Sequence, residues 1–170
     1  MEKHKGMITF GGNPLTLSGP LTKVGNLAPD FTAINKDLSP FKFSDTKGKL
    51  RVISVVPSID TGICDAQTRR FNKEAASFND VEIITISVDL PFALGRYCGA
   101  AGIDKIKTVS DHKDLDFGKK YGFVVDELRL LSRGIIIVDK DDTIKYVEYV
   151  SEIAEHPNYD KAFEELKKLM

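Results

Sequence analysis

Three nearly continuous apolar runs, residues 50–56, 81–88 and 134–138, stand out from an otherwise mixed chain. They are rich in β-branched residues and lack polar alternation, which predicts strands covered on both faces. Residues 7–18 alternate instead, as Met-Ile-Thr-Phe and Leu-Thr-Leu-Ser around a Gly-Gly-Asn-Pro turn, and predict an N-terminal β-hairpin. Shorter strands are predicted at 29–34 and 41–43, and a strand at 143–150 is expected to pair with 134–138 across the turn at 139–142.

Helical periodicity fills the gaps. Phe71, Ala75 and Phe78 fall at i, i+4 and i+7 between the first two apolar runs, which makes a β-α-β unit. A second helix is predicted from Pro91, with Asp89 as its N-cap and Pro in its first turn, and it carries Tyr97 and Cys98. Gly95, Gly99 and Gly102 each cost that helix about 0.5–1 kcal/mol relative to Ala, so it should open more easily than most. A short helix is predicted over 114–121. A closing helix carries the stripe Tyr159, Ala162, Phe163, Leu166 and Leu169, capped by Asn158. Together these elements predict a single α/β domain over residues 1–170, with a mixed central sheet and helices on both faces.

Composition narrows the function. A formal net charge of −1 provides no basic field of the kind nucleic acid attracts. Residues 1–6 lead into no apolar segment, and no run reaches the roughly 18 apolar residues of a membrane span, so a soluble cytoplasmic protein is expected. Two cysteines are too few for a disulfide framework and form no C-x-x-C pair, while His4, His112 and His156 lie at no metal-ligand spacing from Cys64 or Cys98. No metal or other cofactor is expected.

Cys64 is the candidate nucleophile. It follows the apolar run 50–56 and opens an amphipathic stretch, which puts its thiol at a strand-to-helix junction, where unpaired N–H groups and the macrodipole favour thiolate over thiol. Thr61 is placed to cap that helix by accepting from the Cys64 N–H. Asp65 opposes the thiolate unless it points away. Arg133, just ahead of the 134–138 strand, is the cation that neighbouring strands would bring to the thiol. Taken alone, each residue has a plainer role as a packed cysteine, a helix cap or a surface ion-pair partner.

Pro57-Ser58-Ile59-Asp60-Thr61-Gly62-Ile63-Cys64 resembles the P-x-x-x-T-x-x-C motif of the peroxiredoxins. The stretches Asp65-Ala66-Gln67-Thr68-Arg69-Arg70-Phe71-Asn72 and Ser87-Val88-Asp89-Leu90-Pro91-Phe92-Ala93-Leu94-Gly95-Arg96-Tyr97-Cys98 resemble the atypical two-cysteine thiol peroxidase branch. Relatives often have Pro where this chain has Gly62, which leaves the first turn less fixed.

The resemblance implies a thioredoxin-like fold with an added hairpin. It also implies reduction of organic hydroperoxides and hydrogen peroxide by Cys64, with Pro57 shielding the site and Thr61 and Arg133 positioning the peroxide. Cys98 would resolve the sulfenic acid as a Cys64–Cys98 disulfide, thioredoxin would reduce that disulfide, and the protein would be a homodimer. Disulfide formation needs Cα atoms within about 7 Å, and the two cysteines lie on different predicted helices, so local rearrangement is expected. Two other readings stand beside this one: a redox-sensing interaction protein switched by the same disulfide, and a dithiol oxidoreductase, which the missing C-x-x-C disfavours.

Overall fold

The hairpin is longer than its apolar alternation. In the computed structural model, which describes all 170 residues, β1 spans Lys3–Phe10 and β2 spans Asn13–Ser18. Its outer end is exposed and tied by Lys3 Nζ, which donates to the Ser18 hydroxyl across 2.7 Å. Polar pairing of that kind leaves no hydrophobic period to read. The turn is Gly11-Gly12, both at positive φ, and Asn13 and Pro14 already belong to β2.

After the hairpin come β3 (Thr32–Ile34), β4 (Pro40–Lys42) and β5 (Leu50–Val55), with Phe43 turning into a short 3-10 segment rather than continuing a strand. Helix α1 (Gly62–Ala75), β6 (Val81–Ser87), α2 (Pro91–Ala101) and β7 (Lys107–Ser110) complete the β-α-β run. The remaining elements are α3 (Asp116–Tyr121), β8 (Val124–Val125), β9 (Leu130–Leu131), β10 (Gly134–Val138), β11 (Ile144–Tyr149) and α4 (Tyr159–Leu169). Sequence pattern gave no sign of β7, β8 or β9, which are too short, and in β7 too polar, to show a period.

Seven strands form the main sheet in the order β11-β10-β5-β6-β7-β3-β4, and β1-β2-β8-β9 form a second sheet of four. Strands β5, β6 and β7 run parallel, while β10 runs antiparallel to both β5 and β11, so the main sheet is mixed as expected. Phe71 of α1, Cys98 of α2 and Phe163 of α4 pack with Val52, Ile83 and Ile135 on one face. Phe117 and Tyr121 of α3 pack with Ile53, Ile84 and Ile136 on the other. Each fully buried β10 side chain from Ile135 to Val138 contributes roughly 1.5–3 kcal/mol, which anchors the strand that follows Arg133.

Three helix details differ from expectation. Helix α1 ends before Phe78, which is still buried, its ring stacked 5.7 Å from that of Phe163. Gly102 does not lie inside α2; it caps the helix at φ 70°, a left-handed position that suits glycine. Asp89 does not cap α2: Leu90 is the N-cap residue, without a side-chain bond, because the Asp89 carboxylate is engaged elsewhere. Asn158 does cap α4, accepting from the Lys161 N–H.

Candidate active site

Strand β5 runs out at Val55, and residues 56–61 carry the chain to α1 across the carboxyl end of a parallel strand, where open α/β sheets form crevices. Asp89, at the end of the neighbouring β6, fixes this loop. Its carboxylate accepts from Ser58 Oγ (2.7 Å), the Ile59 N–H (2.9 Å) and Ser87 Oγ (2.7 Å). Bonds to a charged acceptor are among the stronger ones, so the loop before Cys64 is pinned to β6.

Cys64 sits in the first turn of α1, fully buried among Val56, Ile59 and Leu94. Arg133 Nη2 donates to its sulfur across 3.2 Å. The same guanidinium donates through Nε to the Ile153 carbonyl (2.8 Å) and through Nη1 to Gln67 Oε1 (3.0 Å). Gln67 in turn donates to Ser54 Oγ across 2.8 Å. Arg133 is only 2% exposed and no carboxylate lies within ion-pair distance of it. A buried cation is costly without a counter-charge, and the Cys64 sulfur is the ionisable group it touches.

Thr61 is the N-cap residue of α1, but not through the bond expected of it. Its hydroxyl donates to the Ser58 carbonyl across 3.2 Å, closing the loop's own turn, and makes no cap to the helix. The Asp65 carboxylate is taken up by Tyr97 OH (2.6 Å) and Arg69 Nε (2.9 Å), away from any bond to the sulfur. Burial, and then this bond to Asp65, push the Tyr97 phenol above its ordinary range.

A cavity of about 310 Å³ opens beside this turn. Pro57, Thr61 and Ile63 line it together with Phe10, Leu128, Ile153 and Arg133. Cys64 itself is fully buried and does not line the cavity, although its neighbour Ile63 does. Pro57, Thr61, Cys64 and Arg133 are thus gathered in one place. Cys98 is not: it is buried in a separate apolar cluster on α2, its sulfur 3.2 Å from Thr108 Oγ1, and both thiols are free.

Sequence reasoning missed Gln67, Asp89 as a loop anchor, and the hairpin's Phe10. For Gln67 there was a signal: it stands three residues after Cys64, on the same helix face. For Phe10 there was none, since only the fold brings the hairpin to the site.

A mixed sheet with parallel central strands, and a buried thiol at a helix start against a buried guanidinium, define a thioredoxin-like redox protein. The chain belongs to the Redoxin family, whose pattern matches residues 23–163. The thiol peroxidase of Halalkalibacterium halodurans is 58% identical over 160 residues, covering 94% of this chain and 96% of the relative. That of Bacillus subtilis is 55% identical over 163 residues, covering 96% and 98%. A solved peroxiredoxin-like protein from Aquifex aeolicus has a TM-score of 0.92 at 37% identity, covering 98% of this chain and 99% of that one. The likeness to peroxiredoxins drawn from the residues around Cys64 therefore holds along the chain.

Proposed function

We propose that this peroxiredoxin-type peroxidase reduces organic hydroperoxides and hydrogen peroxide with Cys64 as its nucleophile. The observation that carries the reading is the Arg133 guanidinium, fixed by Ile153 and Gln67 and donating to the Cys64 sulfur at 3.2 Å. As a thiolate, the sulfur supplies the counter-charge that a buried guanidinium otherwise lacks.

The thiolate attacks the terminal oxygen of the hydroperoxide. An S–O bond forms, the O–O bond breaks, and the released alkoxide or hydroxide takes up a proton to leave as alcohol or water. Arg133 is placed to stabilise the charge that builds on the leaving oxygen. Thr61 lines the cavity next to Cys64 and is assigned to orient the peroxide, and Pro57 to shield the thiol from water. Cys64 is left as a sulfenic acid. The Cys98 thiol condenses with it, forming a disulfide and releasing water, and a dithiol reductant, assigned as thioredoxin, returns both thiols.

Because the cysteines occupy separate clusters, resolution requires α2 to leave its seat. Gly95 and Gly99, inside α2, support that step by weakening the helix. No helix is long and apolar enough to cross a membrane. A cytoplasmic location and a homodimer belong to the same proposal and rest on likeness to the family.

The test is NADPH oxidation coupled through thioredoxin reductase and thioredoxin to cumene hydroperoxide. Repeated turnover is expected, whereas a single stoichiometric burst would favour the redox sensor. Cys64→Ser should consume no peroxide, and Cys98→Ser should complete one turnover and stop at the sulfenic acid. Identical behaviour of the two variants would refute the assigned roles.

A further inference from the structure

Glu152, on the segment between β11 and α4, binds the tip of the hairpin to that segment, and both contribute to the lining of the cavity. One carboxylate oxygen accepts from the Gly12 N–H (2.8 Å) and from Thr9 Oγ1 (3.0 Å); the other accepts from the Ala154 N–H (2.8 Å). Main-chain bonds run alongside, from the Thr9 N–H to the Ser151 carbonyl (2.8 Å) and from the Ile153 N–H to the Thr9 carbonyl (2.9 Å). Phe10 lies between the two hairpin residues that Glu152 holds, and Ile153 and Ala154 follow Glu152 directly. All three line the cavity.

Phe10 is 46% exposed, so burial alone does not hold it in place. The body of the hairpin has its own anchor, because Ile8 and Leu17 are buried with Val125 and Ile153. Loosening the carboxylate therefore releases the tip, not the hairpin. Backbone bonds from Ala154 and Gly12 lower the Glu152 carboxyl to about 2, so it is ionised throughout the neutral range.

We propose that Glu152 is a positioning residue for substrate choice: it pins the hairpin tip so that Phe10 forms an apolar wall, favouring hydroperoxides that carry a bulky apolar group over hydrogen peroxide. Hydrogen peroxide has no apolar group to place against that wall. The inference rests on the peroxidase reading above and concerns only its selectivity.

Glu152→Gln keeps size but replaces one acceptor oxygen with an NH2 that faces a backbone N–H. Compared with the unsubstituted enzyme, its ratio of kcat/KM for cumene hydroperoxide to that for hydrogen peroxide should fall about tenfold, through KM rather than kcat. Phe10→Ala should lower cumene hydroperoxide turnover similarly, and the double variant should lose little more. An unchanged ratio would overturn the proposal. So would an equal loss for both peroxides, since that would mean Glu152 serves Arg133 through the Ile153 carbonyl.

A second measurement does not depend on turnover. Titration of Cys64→Ser protein with 2-phenyl-2-propanol, followed by NMR at Phe10 and Leu128, should show binding that Glu152→Gln weakens about fivefold, with faster amide exchange at Gly12. Absence of binding, or equal binding by both, would refute the clamp. Binding as expected, together with no turnover of either peroxide by the unsubstituted protein, would refute the peroxidase reading alone.

Discussion

The Tyr97 hydroxyl donates to the Asp65 carboxylate across 2.6 Å, joining α2 to α1 one residue away from each cysteine. Tyr97 precedes Cys98 and Asp65 follows Cys64. Arg69 holds the same carboxylate from the next turn of α1, and Thr108 holds the Cys98 sulfur on the sheet side. The bond acts as a latch on the arrangement with separated thiols. On the proposed resolution of the sulfenic acid by Cys98, opening this bond is expected to accompany the approach of the two thiols.

Tyr97→Phe keeps the ring and removes the latch. The bond is partly exposed, so its loss should cost about 1 kcal/mol and speed amide exchange in α2 of the reduced protein roughly fivefold. Disulfide formation after a peroxide pulse should accelerate in step, as read by rapid acid quench and mass spectrometry. Unchanged exchange in α2 would show that the latch contributes nothing to its seating.

Arg133→Lys preserves charge but not the planar fork that reaches Ile153, Gln67 and Cys64 together. The second-order reaction of Cys64 with peroxide should slow by about 10²-fold or more, a loss typical of removing a fixed donor from a developing oxyanion. Stopped-flow peroxide consumption under single-turnover conditions measures this. A rate within threefold of the unsubstituted protein would mean the guanidinium is structural.

The central strands were legible because burial on both faces leaves runs of β-branched residues, and β10 begins and ends where its apolar run does. Cys64 and Arg133 were legible as residue types, each at the end of a recognisable strand. Their contact follows from the pairing of Gly134 with Val55, a long-range register that no local pattern encodes. Asp89 shows the opposite failure. Its position suited a helix cap, yet tertiary partners on the Cys64 loop claimed its carboxylate, and local propensity gave way.

Asp111 gives the stability an unusual pH dependence. It is almost completely buried, and although its carboxylate accepts from the Phe117 and Gly118 N–H groups, desolvation outweighs them and pushes it up to about 6. A folded value above the unfolded one means the native state binds more protons between about pH 4 and pH 6. The stabilising contribution is complete below about pH 4 and is lost as pH rises through 6. Urea unfolding of the reduced protein and of Asp111→Asn should differ by an amount that falls on the order of 3 kcal/mol from pH 4 to pH 7. A difference that stays flat or grows with pH would mean the two amides, not burial, control the carboxyl.

Two glycines should respond to alanine with opposite signs. Gly134 follows Arg133 and pairs with both Val55 and Tyr149, and a Cβ there would collide with the Glu148 carbonyl and lie 2.7 Å from the Phe123 ring. That ring cannot retreat, since it is stacked 4.4 Å from Tyr149 and 5.8 Å from Phe117. Gly134→Ala should therefore cost about 3 kcal/mol and shift Arg133, lowering the urea midpoint and the peroxide reaction together. Gly99, in the interior of α2, has open space where its Cβ would sit. Gly99→Ala should stabilise α2 by about 0.5–1 kcal/mol and slow disulfide formation while leaving the first reaction with peroxide intact. If both steps slow equally, unseating of α2 does not limit resolution.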